Sequence, residues 1–495
     1  MTNIRPAGFL LLLLVACTPA VQKSSRIKPI QQSPSKLCST DITRSILSDP
    51  AWAGSKFGFV ARDLSNQRVI ASHNPDLLLI PASTIKLLTT SAALDGLGAE
   101  FTIPTELYGT QDRERIKGNL WIKGYGDPFL TPERVWLMVN QLWFQGVRVI
   151  EGDLVIDGSA FICDAPTHGE EQDDSTASYT APAGAVSVAF NSINIHVRPS
   201  REGALIDVEP SSSYPIINNR IRMTTRGNTK IDIRVVPSGD RSTIIAEGNL
   251  RYDAEPRSIW RRIDNPNVFA GEVIRNILNA RGIDVDGSVK VGQVPQKAPL
   301  VLTFQSLDLG TLVASVNKHS NNMMATQLAY VLGGQKYGYP GDWNKGKRAI
   351  AEFLENKIGI APRDYQMNNA CGLHDVNHVS AAQLVQVLAY MSTRHDIGHE
   401  FAASLAIAGG AGTLKRRDYD NTVHVRGKTG TLGIASALAG YITPTSSNNP
   451  VAFALIANNY KTPITDLWAA QDRFIKQINA AVTAQGPCDT NTVNP

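Results

Sequence analysis

Residues 83–94 of the chain read STIKLLTTSAAL, and Ile85, Leu87, Leu88, Ala92, Ala93 and Leu94 fall on nearly every side of a helix drawn through them. Such a segment has no face to turn to water, so it predicts a helix enclosed by other elements. Enclosure requires a sizeable core. At 495 residues, 43% hydrophobic and 19% charged, the chain is long enough for about two to four domains. Its formal net charge of +4 is dilute over that length and no run of Lys or Arg forms a patch, which argues against a nucleic-acid partner. At the start of the same helix Ser83 precedes Lys86 by three residues. The pattern is cheap, since Ser25/Lys28, Ser33/Lys36 and Ser315/Lys318 share it, and the rest of the chain must decide whether it carries chemistry.

The chain opens MTNIRPAGFLLLLLVACTPA, with one Arg and then an apolar run from Phe9 to Ala16 that is too short to span a bilayer and suits a signal-peptide core. The run ends in LVAC, which resembles the lipobox of bacterial lipoproteins and implies cleavage and lipid attachment at Cys17. A plain signal peptide cut near Ala20 is the alternative. No later stretch is apolar for long enough to cross a membrane, so the expected anchor is lipid only. From Thr18 to about Lys36 the chain is rich in Ser, Pro, Gln and Lys and reads as a flexible tether, drawn at 18–40, where a solvated serine has nothing to tune its lysine. Cys38, Cys163, Cys371 and Cys488 remain in a compartment that permits disulfides. Cys38 and Cys488 flank the folded region, and domain termini often lie close together, which favours that pairing; the alternative is that all four stay reduced.

After the tether, STDITRSILSDPAWAG predicts a capped helix and KFGFVARDLSNQRVIASHN two strands with a turn near Asn66. Between about Leu107 and Leu300 the texture changes to short alternating strands, GNLWIKG, VRVIEGDLVIDG, INIHVRP, KIDIRVVPSG and STIIAEGNL, punctuated by Gly and Pro. Helical patterns return with NVFAGEVIRNILNARG, LGTLVASVNKHSNNMMATQLAYVLGG, GDWNKGKRAIAEFLENKIG and AAQLVQVLAYMSTRHD. The antiparallel strands TVHVRGKTGTLGIASALAGYITP and VAFALIANNY follow, and then the amphipathic TDLWAAQDRFIKQINAAV. The simplest assembly is one α/β domain built from both ends of the chain and interrupted by a β-rich insertion.

Two motifs follow Ser83 in order. HSNNMMATQLAY sets Ser320 and Asn322 at Ser-x-Asn spacing at the head of a helix, and RGKTGTLG sets Lys428, Thr429 and Gly430 on a predicted strand. Ser-x-Asn recurs at Ser192/Asn194, Ser315/Asn317 and Ser446/Asn448, whereas Lys-Thr-Gly occurs once. The ordered trio is the signature of penicillin-binding proteins and class A β-lactamases. The chemistry explains the residue types. A serine hydroxyl is a poor nucleophile until a base takes its proton, and a lysine one turn away can reach it. That lysine must be neutral near pH 7, at a cost of about 4 kcal/mol against its ordinary pKa. Burial against Ile85, Leu87 and Leu88, the like charge of Lys428 and the helix N-terminus all act in that direction.

Ser320 lies 237 residues after Ser83, too far for an ordinary β-lactamase, and Lys428 another 108 beyond it. With these spacings and the phrases KGYGDPFL, YTAPAGAVSVAFNSINIHV, GGAGTLKRR and GKTGTLGIASALAGYI, the chain resembles the class-C low-molecular-mass penicillin-binding proteins. These are D-alanyl-D-alanine carboxypeptidases/endopeptidases whose transpeptidase-type domain is split by a long insertion. The likeness covers nearly everything after the tether. It implies an α/β (α+β) fold, β-lactamase/transpeptidase-like, of antiparallel sheet and helices in two parts, 41–107 and 301–495, with residues 108–300 inserted as two β-rich subdomains. It implies that Ser83 attacks the carbonyl of the penultimate D-alanine and Lys86 takes its proton, and that water later hydrolyses the acyl-enzyme. Ser320 would relay a proton to the leaving amine, and Asn322 would hold the acyl side-chain amide or Lys86. The oxyanion would sit between the backbone N–H groups of Ser83 and Thr431. Lys428, Thr429 and Thr431, on the strand carrying Gly430, would bind the terminal carboxylate. The implied partners are peptidoglycan stem peptides and, as covalent inhibitors, β-lactams, at the periplasmic face of a bacterial membrane.

No cofactor is implied. His374 and His378 lie in a Gly-containing loop without an acid motif, so no metal is expected. Two departures from the family pattern stand out: Asn321 replaces an aspartate, and NNACGLHDVNHVS puts Cys371 where a serine is usual, which places substrate preference in question. A serine β-lactamase and a non-catalytic wall-binding lipoprotein are the rival readings; the foreign insertion speaks against the first and the intact trio against the second.

Overall fold

The computed structural model describes residues 36–163, 175–419, 421–445 and 450–483. Cys17, Cys488, the side chain of Cys38 and most of the tether lie outside the described residues. The helix α1 (Lys36–Leu47) already begins inside the stretch read as tether, with Ile42 and Ile46 one turn apart and packed inward.

A six-stranded antiparallel sheet draws on both ends of the chain. Its strands are β1 (Lys56–Asp63), β2 (Val69–His73), β3 (Ala406–Ile407), β4 (Val423–Leu432), β5 (Ala435–Pro444) and β6 (Val451–Asn458), in the spatial order β3-β4-β5-β6-β1-β2. The closure between the two ends is β1 on β6, from Lys56 opposite Asn458 to Asp63 opposite Val451. The stretch read as one strand run from Thr422 divides at Gly433 and Ile434 into the tight hairpin β4–β5, with Leu432 opposite Ala435. Both faces of β6 are covered, so all eight of its residues are buried. Ala452, Ala454 and Ile456 face one core, while Val451, Phe453 and Leu455 face the other.

The first core encloses α2 (Lys86–Leu97), in which every residue from Lys86 to Leu94 is buried. Around it stand α3 (Leu309–His319), α4 (Asn322–Tyr337) and α5 (Ala381–Ser392). Burying a Leu such as Leu87 or Leu88 contributes about 2 kcal/mol, so the apolar faces of α2 fix its place at the centre. The second core lies between the other sheet face, α1 and the C-terminal helix α6 (Ile464–Thr483).

The region between β2 and α3 also carries a separate core and three sheets. It is β-rich as the sequence indicates, and NVFAGEVIRNILNARG forms the helix Pro266–Arg281. A further helix, Pro132–Phe144, went unread among the strands, although Pro132 opens it and Val135, Met138, Val139 and Leu142 face inward at helical spacing. The strand Pro104–Asp112 straddles the boundary drawn at 107, pairing with Leu300–Gln305 as the chain returns. Among the described residues no helix is long and apolar enough to cross a membrane.

Candidate active site

Ser83 sits in a 3-10 turn, Ala82–Ile85, that leads directly into α2 at Lys86. The turn is tighter than the α-helical start expected from sequence. Residues three apart eclipse one another in a 3-10 turn, so the amine of Lys86 falls on the nucleophile candidate. Lys86 Nζ lies 2.9 Å from Ser83 Oγ. Ala82 takes a left-handed conformation, φ 47°, and Thr84 Oγ1 donates to Pro81 O at 2.7 Å, which secures the turn.

Lys86 is fully buried, and its amine also donates to Asn322 Oδ1 at 2.7 Å and to the carbonyl of Cys371. Burial lowers its pKa to about 8, with the Cys371 side chain acting in the opposite sense. A fall of that size is worth about 3 kcal/mol in favour of the neutral amine.

The second motif lies at a junction of helices rather than at a simple helix head. Ser320 ends α3 in the left-handed region, φ 57°, and Asn321 caps α4 by accepting from Met324 N at 3.0 Å. The capping residue is therefore Asn321, and an aspartate would make the same bond, which explains why this departure leaves the geometry whole. Asn322, first residue of α4, turns Oδ1 to Lys86 and donates from Nδ2 to Tyr179 O at 2.9 Å.

The third motif runs along β4. Lys428 is fully buried and donates to Ser320 Oγ at 2.8 Å and to Thr429 O at 2.7 Å. Burial, and then the charge of Lys86, push its pKa well below the lysine range. Gly430 has no substitute here: a Cβ would stand 2.6 Å from Pro81 O and 3.1 Å from Ser83 N, because the strand crosses directly over the turn that holds Ser83. Thr429 Oγ1 donates to Thr413 Oγ1 at 2.8 Å, and the Thr431 side chain is exposed. Among the described residues β3 pairs with β4 only at Arg426 and Gly427, so the edge from Lys428 to Leu432 carries no strand on that side.

The three motifs thus meet in one place. Ser315/Lys318 instead lies along α3, and Ser192/Asn194 on the strand Ser192–Ser200. Three contributors went unread. Tyr179 and Thr413 supply a carbonyl and a hydroxyl; both lie in phrases that carry the family resemblance, YTAPAGAVSVAFNSINIHV and GGAGTLKRR, but the phrases give neither residue a role. The third is the Cys371 carbonyl, which accepts from Lys86 and, at 3.4 Å, from Ser83 Oγ. Its loop is shaped by Asn369, whose Oδ1 accepts from Gly372 N at 2.7 Å and from Asn377 Nδ2 at 3.0 Å. Gly372, φ 79°, allows the loop to touch the nucleophile turn, for a Cβ there would lie 2.0 Å from Ala82 O. The Gly and paired Asn residues were the available signal. Since residue 371 contributes its backbone, a cysteine in place of serine leaves the contact intact.

Comparison with known proteins identifies the family and the fold. Residues 40–478 match the D-Ala-D-Ala carboxypeptidase 3 (S13) family. The chain is 29% identical over 462 residues to a D-alanyl-D-alanine carboxypeptidase of Actinomadura sp. (strain R39), covering 89% of this chain and 84% of that one. It is 27% identical over 417 residues to the D-alanyl-D-alanine carboxypeptidase DacB of Haemophilus influenzae, covering 83% and 86% of the two chains. The crystal structure of penicillin-binding protein 4 (dacB) from Haemophilus influenzae superposes with a TM-score of 0.76 at 25% identity, covering 90% of this chain and all of that one, and its β-lactam complex at 0.71 and 24%. The fold is accordingly the transpeptidase-like one, with its β-rich insertion. With its family model matched over most of its length and its serine, two lysines and amide gathered under one strand, the chain belongs to the D-Ala-D-Ala carboxypeptidase 3 (S13) family, the serine-type D-Ala-D-Ala carboxypeptidases/endopeptidases.

Proposed function

We propose that Ser83 is the nucleophile of this carboxypeptidase and Lys86 its base. One observation carries the assignment: the buried Lys86 amine faces three acceptors, Asn322 Oδ1, the Cys371 carbonyl and Ser83 Oγ. A neutral amine has two N–H groups for the two carbonyl acceptors, which leaves its lone pair to accept the proton of the Ser83 hydroxyl. Ser83 Oγ then attacks the carbonyl carbon of the penultimate D-alanine, and Lys86 takes the proton. The backbone N–H groups of Ser83 and Thr431 receive the oxyanion. As the C–N bond breaks, the Ser320 hydroxyl hands its proton to the leaving amine and regains one from Lys428. The proton held by Lys86 then passes to Lys428, and neutral Lys86 activates the water that hydrolyses the acyl-enzyme and returns the proton taken from it to Ser83 Oγ.

Lys428, Thr429 and Thr431 bind the terminal carboxylate along the open edge over Gly430. The two lysines hold less than their full charge because each is buried and like charges disfavour one another. An arriving carboxylate draws the shared positive charge to Lys428 and so leaves Lys86 neutral when it is needed. The Haemophilus influenzae protein has been crystallised in complex with a β-lactam, and here β-lactams would enter the same site as the stem peptide and acylate Ser83. Export through the leader and a lipid at Cys17 would hold the enzyme at the periplasmic face of a bacterial membrane. Residues 41–107 and 301–495 form the catalytic unit in this reading and 108–300 the insertion. The test is release of D-alanine from a pentapeptide stem: wild type releases it and Ser83→Ala does not, whereas release by Ser83→Ala at the wild-type rate overturns the assignment.

A further inference from the structure

Upstream of the catalytic lysine, β4 opens onto a groove of about 670 Å³ that none of the three motifs uses. Its lining includes Lys415, Arg416, Arg417, His424 and Arg426, with Asp418 the one acidic residue among the described lining side chains. Arg417 is engaged, donating to Asp472 Oδ1 at 2.6 Å and to Gln471 Oε1 at 3.0 Å. Lys415, Arg416 and Arg426 are in no ion pair among the described residues. Lys415 and Arg416 are exposed and Arg426 half-buried. A charge run on a surface is usually only solvated; position is what distinguishes this one.

Side chains alternate along a strand, so His424, Arg426 and Lys428 share a face, while Val423 and Val425, which also line the groove, pack into the opposite core. Between the groove and the active site stand β3, paired with β4 at Arg426 and Gly427, and the turn Gly412–Leu414, whose Thr413 holds Thr429 and is followed directly by Leu414 and Lys415. The assigned substrate orientation puts the scissile carbonyl over Ser83 beside Gly430 and the leaving residue's carboxylate at Lys428. Anything attached to the leaving residue therefore continues away from Thr431, toward Arg426 and the 415–416 cations.

We propose that this groove is the leaving-group subsite for a cross-linked substrate, binding the acidic peptide strand attached through the leaving D-centre. The inference rests on the reading of Ser83 and Lys428 given above. A free D-alanine leaving group ends at Lys428 and never reaches the groove, whereas a leaving peptide that carries carboxylates meets three cations that are in no ion pair among the described residues. The groove therefore favours endopeptidase action on cross-links and leaves carboxypeptidase action untouched. Attraction of this kind between exposed charges raises affinity and on-rate and weakens with salt.

The test compares wild type with Lys415→Ala/Arg416→Ala/Arg426→Ala, and with Lys415→Glu/Arg416→Glu, which changes only exposed positions. Three readouts are taken: acylation by a fluorescent penicillin, D-alanine release from a monomeric pentapeptide, and cleavage of a purified cross-linked stem-peptide dimer. The expected result is that both variants keep penicillin acylation and pentapeptide turnover within about twofold, while kcat/KM for the dimer falls at least tenfold, chiefly through KM. Raising salt from 50 to 500 mM should lower dimer cleavage by wild type more than by the variants. Unchanged dimer cleavage in the variants, a parallel loss on dimer and pentapeptide, or a wild type that leaves the dimer intact overturns the groove assignment alone. A wild type that neither takes penicillin nor releases D-alanine defeats the Ser83 reading itself.

Discussion

At the scale of single residues the account turns on a lysine that is buried beside its serine. Replacing it by Lys86→Met keeps most of the volume and removes the base, so penicillin acylation should slow by about 10²–10⁴-fold in stopped-flow or gel-based labelling. Lys86 acts only when neutral and has a pKa of about 8. The acylation rate constant of the free enzyme should therefore rise about tenfold per pH unit below that value and level off above it. A profile still rising at pH 10 would mean that burial does not tune the amine. Ser83, Lys86, Ser320, Asn322 and Lys428 were legible because each belongs to a motif with fixed internal spacing. The carbonyls of Cys371 and Tyr179 were not, for a backbone acceptor leaves no mark on residue type.

Elements position those side chains through close approaches that can be perturbed one atom at a time. In Gly430→Ala the added methyl meets the Pro81 carbonyl at 2.6 Å and must lift β4 from the nucleophile turn. Stability should fall by about 1–3 kcal/mol in chemical denaturation, as overpacking does, and acylation should fall further than stability accounts for. Gly433→Ala, with nothing within 4 Å, should leave both unchanged. At the helix junction Asn321→Asp keeps the bond to Met324 N and should retain activity, while Asn321→Ala loses the cap, about 1 kcal/mol, and loosens Ser320 and Asn322 on either side. Five strands of the sheet were readable as short apolar runs bounded by turn residues, whereas the two-residue β3 was not. The 3-10 turn before α2 was not, because three-residue and four-residue spacing overlap at a helix start, and Pro132–Phe144 was hidden by the β-rich texture around it.

Across the whole molecule, the sheet that supports the site closes only when residues 56–63 find residues 451–458. The buried amine also leaves a signature in global stability. In the unfolded chain Lys86 stays protonated to about pH 10, and in the folded chain only to about 8, so the unfolded state binds more protons between those values. Its burial penalty is thus complete below about pH 8 and lifts as pH rises toward 10. The stability of wild type relative to Lys86→Met should grow across that window by up to about 3 kcal/mol in urea titrations, and a difference independent of pH would count against an ionisable buried amine. Assembly from both chain ends was legible, since strand patterns of like character flank the insertion. Which cations remain outside the motifs was not, because pairing depends on neighbours such as Asp472 that lie far away in sequence.

The central claim, that three distant segments converge to make Ser83 the acylated residue, is tested most directly by treating the protein with a penicillin and locating the adduct by intact mass and peptide mapping. The account predicts a single adduct, on the peptide containing Ser83, absent in Ser83→Ala. An unmodified wild type, or an adduct on another serine that persists in Ser83→Ala, would contradict it.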